Sequence, residues 1–211
     1  MAPHPSPGPV PFDDRLRAAA RARLAAAAPV AVDGDGLRAA AVCVALVEGE
    51  GGDAAMVLCR RGGVGSHRHQ WGLPGGSVDV GETAEQAAVR ELAEEVGLEA
   101  VEVLGRMDDY VTRSGFHLSP FVVWCPAQRP VVASPREIAS VHRVPLAHVG
   151  REGSAMWERI PQSDRPVLSV HLGRHHVYAP TAAVIHQFAE WVLRDRRTSV
   201  ADVEEPVFAW R

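Results

Sequence analysis

The sequence predicts an α/β protein. Apolar runs of strand length, LRAAAVCVALV (Leu37 to Val47), AAMVLCR (Ala54 to Arg60) and FVVWC (Phe121 to Cys125), are interleaved with segments of helical composition or spacing at Asp13 to Ala27, Thr83 to Val96 and Thr181 to Leu193. The 211 residues, 46% hydrophobic, suit one buried core with extensions.

Residues 1–11, MAPHPSPGPVP, are rich in proline and small residues and read as a disordered leader. Residues 12–36 read as an N-terminal helix and a turn. Ala, Leu and Arg dominate Asp13 to Ala27, and Asp13 and Asp14 suit the positive end of a helix. The acids and prolines count against an organelle-targeting segment, so the helix is expected to pack on the domain. Pro29 ends it, and Asp33-Gly34-Asp35-Gly36 is a turn.

Residues 37–195 are the main domain. The first two strands are joined by the turn EGEGGD, a hairpin-like entry into a sheet with a covered face. Arg60 and Arg61 close the second strand, where they reach a phosphate or stay solvated. GGVGSHRHQ, residues 62–70, is a loop, and Trp71-Gly72-Leu73-Pro74 leads from it to the next helix. His67 and His69 are candidates for substrate contact or acid–base work, or are surface histidines. Val101 to Arg106 and Asp108 to Thr112 read as short strands joined near Met107. Pro120 marks the start of the strand at Phe121, and Pro126 to Ala133 is loop. Ile138 to Leu146 alternates like a strand and leads to a short helix near Leu146 to Val149. Residues 151–165 read as polar and irregular. Val167 to Leu172 and His175 to Tyr178 form a hairpin turning at Gly173-Arg174. Thr181 to Leu193 is an amphipathic closing helix, with Ala182, Ile185, Phe188, Ala189 and Val192 at helical spacing. Residues 196–211 are a charged C-terminal tail whose Val207, Phe208 and Trp210 are able to dock.

The chemistry concentrates between Gly75 and Leu98. Thr83 with Gln86 is a capping-box start, and Gly97 supplies a left-handed stop. Glu91, Glu94 and Glu95, spaced i, i+3 and i+4, share one helix face, which also carries the small Ala84 and Ala87. Val89, Leu92, Ala93 and Val96 are expected on the core side. Carboxylates this close repel unless a positive charge sits among them. Mg²⁺ takes oxygen ligands and bridges carboxylates to substrate phosphates; otherwise the run is a solvated acidic face. Pro74, Gly75 and Gly76 let the backbone approach a ligand closely. Arg90, beside Glu91 and four residues before Glu94, is placed to hold both.

The net charge of −4 gives no basic footprint for a nucleic-acid duplex. No apolar run approaches the roughly 18 residues that span a membrane. Cys43, Cys59 and Cys125 lack metal-type spacing, and Cys43 and Cys59 lie in apolar runs. They are expected as buried free thiols, which fits a reducing cytoplasm.

Gly76, Glu82 and the run Arg90-Glu91-Leu92-Ala93-Glu94-Glu95-Val96-Gly97-Leu98 resemble the Nudix box without a mismatch. The resemblance implies a Nudix fold, a mixed β-sheet sandwiched between α-helices. It also implies Mg²⁺- or Mn²⁺-dependent hydrolysis of a small-molecule nucleoside diphosphate linked to another moiety. On that basis Glu91, Glu94 and Glu95 hold metal, with the Gly75 carbonyl as a further ligand. Arg90 orients the glutamates, and Glu82, with Gly76, is a structural brace. Glu91 or Glu137 serves as general base, and Arg60, His67 and Gln70 contact substrate. Some Nudix domains are binding or regulatory modules without turnover; a missing metal glutamate would mark one, and none is missing here.

A second resemblance is to the coenzyme A pyrophosphatase branch. It rests on His67, Gln70, Pro74-Gly75-Gly76, Asp79 and Ala88-Val89-Arg90-Glu91, then Ser114-Gly115-Phe116, Ser119-Pro120-Phe121-Val122, Glu137-Ile138-Ala139-Ser140-Val141, Val144-Pro145-Leu146 and Tyr178-Ala179-Pro180-Thr181-Ala182. Gly65, His69 and Trp71 depart from that branch's pattern. It implies coenzyme A or an acyl-CoA as substrate; ADP-ribose, other nucleoside diphosphate compounds and nucleoside triphosphates are the alternatives. A homodimer formed through the terminal extensions would need an apolar patch on the 181–193 helix or the final VFAW.

Overall fold

The computed structural model describes residues 8–62, 70–126 and 134–210. Helix α1 (Asp14–Ala27) is capped by Asp13, whose side chain accepts from the Leu16 N–H, and ends where Ala28 turns left-handed. Strands β1 (Arg38–Glu48) and β2 (Ala54–Arg61) follow. The segment from Trp71 to Ser77, given no strand in the sequence reading, holds two short ones, β3 (Trp71–Gly72) and β4 (Gly75–Ser77). They pair antiparallel with β2 and β1, which satisfies their backbone groups. Then come α2 (Ala84–Val96), β5 (Glu102–Arg106), β6 (Tyr110–Val111), β7 (Phe116–Trp124), β8 (Ile138–Pro145) and α3 (Leu146–Val149). The chain continues through β9 (Ala155–Ile160), β10 (Ser163–Leu172) and β11 (His175–Tyr178) to α4 (Thr181–Phe188), which runs on as a π-helical turn over Ala189–Leu193.

The main sheet runs β3-β2-β1-β7-β5, with β8 also on β2, β4 on β1 and β6 on β7. It is mixed: β1 and β7 pair parallel, from Arg38 opposite Phe116 to Leu46 opposite Trp124, and its other ladders are antiparallel. Helices cover both faces. Ala41, Cys43, Ala45 and Val47 of β1 point to the cluster under α2, while Ala40, Val44 and Leu46 point to the cluster containing α4 and α1 residues. A strand buried on both sides reads as a continuous apolar run, which is why β1 is so visible in the sequence. Strands β9, β10 and β11 form a second, antiparallel sheet.

Several expectations need correction. Strand β7 begins at Phe116, so Pro120 lies inside it rather than before it. Pro120 is tolerated because it sits where the β5 and β6 pairings are interrupted; its carbonyl accepts from Met107, and no N–H is left unpaired. Residues 151–165 are not irregular, for they contain β9 and the start of β10. Strand β9 is largely exposed on both faces, so it carries no inside–outside alternation to read. Residues 8–11, expected as disordered leader, meet the domain: the Ala54 N–H donates to Val10, and Pro11 bridges to Asp53.

The C-terminal segment, expected as a charged tail, lies on the domain with Val200, Val203 and Glu204 buried. Val207 and Phe208 stay exposed, and Trp210 donates its indole N–H to the Glu205 carbonyl. The α4 helix spends its apolar residues on the core. All three cysteines are buried and free; burial pushes the Cys59 and Cys125 thiols up to about 12. Among the described residues no helix is long and apolar enough to cross a membrane.

Candidate active site

Helix α2 carries the site, and local sequence fixes its ends. Thr83 accepts from the Gln86 N–H at 3.2 Å, and the Gln86 side chain accepts from the Thr83 N–H at 2.8 Å. Gly97 closes the helix at φ 65° with its N–H on Ala93. The buried stripe is Ala87, Ala88, Leu92, Glu95 and Val96. Ala93 is exposed, and Ala87 packs against the sheet instead of leaving room above the carboxylates. The three glutamates therefore do not share one environment. At 100° per residue, Glu95 follows Leu92 and Ala88 onto the core side, Glu94 faces water and Glu91 lies between.

Arg90 gathers the outer carboxylates. Its Nε and Nη2 donate to the two oxygens of Glu82 at 3.0 and 3.1 Å, in a forked pair. Its Nη1 donates to Glu91 at 2.9 Å and Glu94 at 3.1 Å, and Nη2 also reaches the Ser77 carbonyl at 3.1 Å. The Asp79 N–H adds a bond to Glu82 at 3.1 Å. Together, Arg90 first, these bonds hold Glu82 below the usual carboxylate range, and Glu82 with Glu91 raises the proton affinity of Arg90. One guanidinium thus ties the helix to the loop before it, as expected for Arg90 and Glu82.

Glu95 is different. It is 3% exposed, and one oxygen accepts the Gly75 N–H at 3.0 Å. Burial is the main cause that raises its pKa; Gly75 and the nearby Arg61 oppose the rise, and the charges of Glu91 and Glu137 add to it. The fold therefore brings Glu137 near Glu95, helped by the Ser134 N–H donating to the Glu95 carbonyl, although Glu137 itself is exposed. Each of Glu91, Glu94 and Glu95 keeps one oxygen without a hydrogen bond among the described residues. Among the described residues no three acidic, histidine or cysteine side chains already converge as a metal cage. The donor set is nonetheless all oxygen, clustered, and short of positive charge at its buried member. That is the chemistry a hard divalent cation fits.

The glycines explain themselves here. Gly75 has φ 152°, and a Cβ there would lie 2.2 Å from the Ala41 carbonyl; one on Gly76 would lie 2.3 Å from the Glu91 carboxylate. The Gly75 carbonyl, expected as a metal ligand, accepts from Arg61 Nη2 at 3.3 Å.

Gly75, Gly76 and Ser77 also border a cleft of about 320 Å³. Its walls include Trp71, Phe116, Leu118 and Val184, with Arg61, Gln70, Thr112 and Ser114 as polar groups. Gln70, expected to contact substrate, borders this cleft. Arg60 does not line the cleft, whereas Arg61 does, with its Nη2 on the Gly75 carbonyl. His67 and His69 lie outside the described residues. Glu205 and Ala209 complete the cleft wall and were missed. No local pattern in the C-terminal segment announces them; their place depends on Glu204, which bonds Arg113 and Arg165.

A family model, the NUDIX domain, matches residues 37–164. The Escherichia coli K12 protein described as an uncharacterized Nudix hydrolase, NudL, is 33% identical over 159 residues, 72% of this chain and 81% of that protein. Nudix hydrolase 3 of Caenorhabditis elegans is 32% identical over 146 residues, 63% of this chain; the chain spans 61% of that relative's length. A solved MutT/nudix family protein from Enterococcus faecalis aligns with a TM-score of 0.46 at 20% identity, covering 71% of this chain and 52% of its own.

Proposed function

Because the chain belongs to the Nudix family, we propose that it is a divalent-metal-dependent pyrophosphohydrolase that cleaves the diphosphate of a nucleoside diphosphate derivative. The observation that carries this reading is the buried Glu95, poor in positive partners, beside the Arg90-braced Glu91 and Glu94 and next to a cleft. Glu91, Glu94 and Glu95 would hold Mg²⁺ or Mn²⁺. Such an ion, when bound, neutralises the diphosphate and lowers the pKa of water.

The chain's own residues supply the rest. Arg90 fixes the rotamers of Glu91 and Glu94, so the carboxylates need little reorganisation. Gly75 and Gly76, whose lack of side chains lets the backbone lie against Ala41 and the Glu91 carboxylate, would present their peptide groups to the diphosphate between cleft and helix. Arg61 is placed to pair with a phosphate oxygen at that wall. Glu91, or Glu137 from the segment before β8, takes the proton of the attacking water. Trp71, Phe116 and Leu118 give the cleft an apolar lining for the base or the linked moiety.

The substrate we put first is coenzyme A or an acyl-CoA, cleaved to 4′-phosphopantetheine and 3′,5′-ADP. The motifs shared with that branch support it, and the terminal Tyr178-to-Ala182 motif contributes Pro180 and Thr181 to the cleft. Turnover of coenzyme A, ADP-ribose, NADH, diadenosine polyphosphates and nucleoside triphosphates with Mg²⁺ or Mn²⁺ tests it, with Glu94→Gln and Glu95→Gln alongside. Coenzyme A cleavage lost in both variants is expected. Preference for another nucleotide overturns the substrate class and keeps the chemistry. Binding without turnover of any compound favours a regulatory module.

A further inference from the structure

On the sheet face opposite α2, the cleft residue Trp71 is flanked by two imidazoles. Its ring centroid lies 5.0 Å from His142 and 4.5 Å from His175, both nearly perpendicular, and the imidazoles are 5.0 Å apart. The Arg60 guanidinium lies 5.8 Å from the Trp71 ring. Strand register explains the grouping: Arg60 pairs with Trp71 on one side and Ser140 on the other, and Leu58 with His142. Arg174, in the β10–β11 turn beside His175, is near enough to disfavour protonation of both histidines, as Arg60 is for His142.

Neither Arg60 nor Arg174 has a carboxylate partner among the described residues, a lack they share with Arg61 in the cleft wall. Arg60 thus lies unpaired against Trp71 at the edge of the cleft, and Arg174 precedes His175, which packs on the same ring, in a chain whose net charge is −4.

We propose that Arg60, Arg174, His142 and His175 form a subsite around Trp71 for a phosphate monoester carried by the substrate, separate from the diphosphate that is cleaved. The proposal rests on reading the cleft as the substrate site. A phosphate monoester carries close to two negative charges at neutral pH and several acceptor oxygens. Guanidinium forks match that geometry, and neutral imidazole N–H groups can donate to it. The diphosphate is not the group bound here, because Arg61 is the arginine beside Gly75 and the carboxylates. A phosphorylated ribose stacking near Trp71 would present its phosphate to this cluster.

The test compares kcat/KM for coenzyme A and 3′-dephospho-coenzyme A in the parent chain, Arg60→Ala, Arg174→Ala and the double variant. Beside it, calorimetry measures binding of 3′,5′-ADP, 2′,5′-ADP and 5′-AMP without divalent metal. A preference of about tenfold or more for the phosphorylated substrate is expected in the parent, from added charge-assisted hydrogen bonds. The ratio should collapse towards one in the double variant, and the tighter binding of a bisphosphate over 5′-AMP should vanish with it. The bisphosphate that loses its advantage identifies which hydroxyl carries the phosphate. Turnover with an unchanged ratio, or equal binding of all three nucleotides by the parent, overturns the subsite. If nothing is hydrolysed, the hydrolase reading fails, and the binding series still decides the subsite.

Discussion

Glu95 and Glu204 are both buried carboxylates, and their surroundings are opposite. Glu204 is fully buried and meets Arg113 at 2.9 Å, Arg165 at 3.0 Å, the Ser163 hydroxyl at 2.6 Å and the Glu205 N–H at 2.9 Å. Arg113, ahead of the other partners, pulls its pKa far below the usual carboxylate range. Glu95 has one backbone N–H, and burial raises its pKa. The Glu204 charge is satisfied by the fold and fastens the C-terminal segment against the cleft. Glu95 is left wanting a cation that the chain does not itself bond to it. A buried charge satisfied internally is structural; one left short is a candidate for chemistry.

The largest effect that sharpens this contrast is expected at Glu95. Glu95→Gln should lower Mg²⁺-dependent turnover by about 100-fold or more. Its melting temperature without metal should be no lower than the parent's, since the amide removes a poorly compensated buried charge. Mg²⁺ or Mn²⁺ should raise the melting temperature of the parent and not of the variant, measured by thermal unfolding with and without the ion. A metal-free Glu95→Gln that unfolds many degrees earlier would make Glu95 structural after all.

Glu204→Gln should do the reverse. Removing one partner of a buried ion network costs about 3–5 kcal/mol, and the partly exposed arginines here reduce that to roughly 2–3 kcal/mol. Unfolding should move down by about 5–10 °C, with the same Mg²⁺ response as the parent. The pH dependence has a defined sign. Glu204 has a depressed folded pKa, so its contribution is complete above the unfolded value near 4.5 and is lost as pH falls towards the folded value. The stability gap between parent and Glu204→Gln should hold at neutral pH and narrow below about pH 4.5, as followed by urea unfolding across that range.

The same contrast separates what was legible in the sequence from what was not. The glutamate spacing, the Thr83–Gln86 cap and Gly97 are local, so α2 and its charges could be read from adjacent residues. That Glu95 turns inward was implicit in the same spacing, since it stands three residues after Leu92, but the shared-face reading of three acids hid it. Glu204 could not be read at all. Its partners Arg113 and Arg165 lie 91 and 39 residues away, and a tail of mixed charge gives no period that would bring them together. Arg60 and Arg61 were indistinguishable by composition; only the fold puts Arg61 on the Gly75 carbonyl in the cleft wall and Arg60 against the Trp71 ring. Strand β9 went unread because water, not a core, meets both its faces.

Glu137 gives the smallest expected effect and the finest test of the comparison. It is exposed and acts on Glu95 through space, with no hydrogen bond between the two. Between groups near water, a charge interaction of this kind is worth about 1 kcal/mol or less. If Glu137 only adds negative charge to the Glu95 pocket, Glu137→Gln should weaken Mg²⁺ activation by less than about fivefold and leave the pH dependence of kcat in place. A general base contributes roughly 10²–10⁴-fold, and its loss removes the limb of the pH profile that it controls. A fall of that size in Glu137→Gln, with the limb gone and Mg²⁺ affinity retained, would move the base from Glu91 to the segment before β8. The short supply of positive charge at Glu95 would then serve the ion alone, with proton transfer handled by a carboxylate that water already solvates.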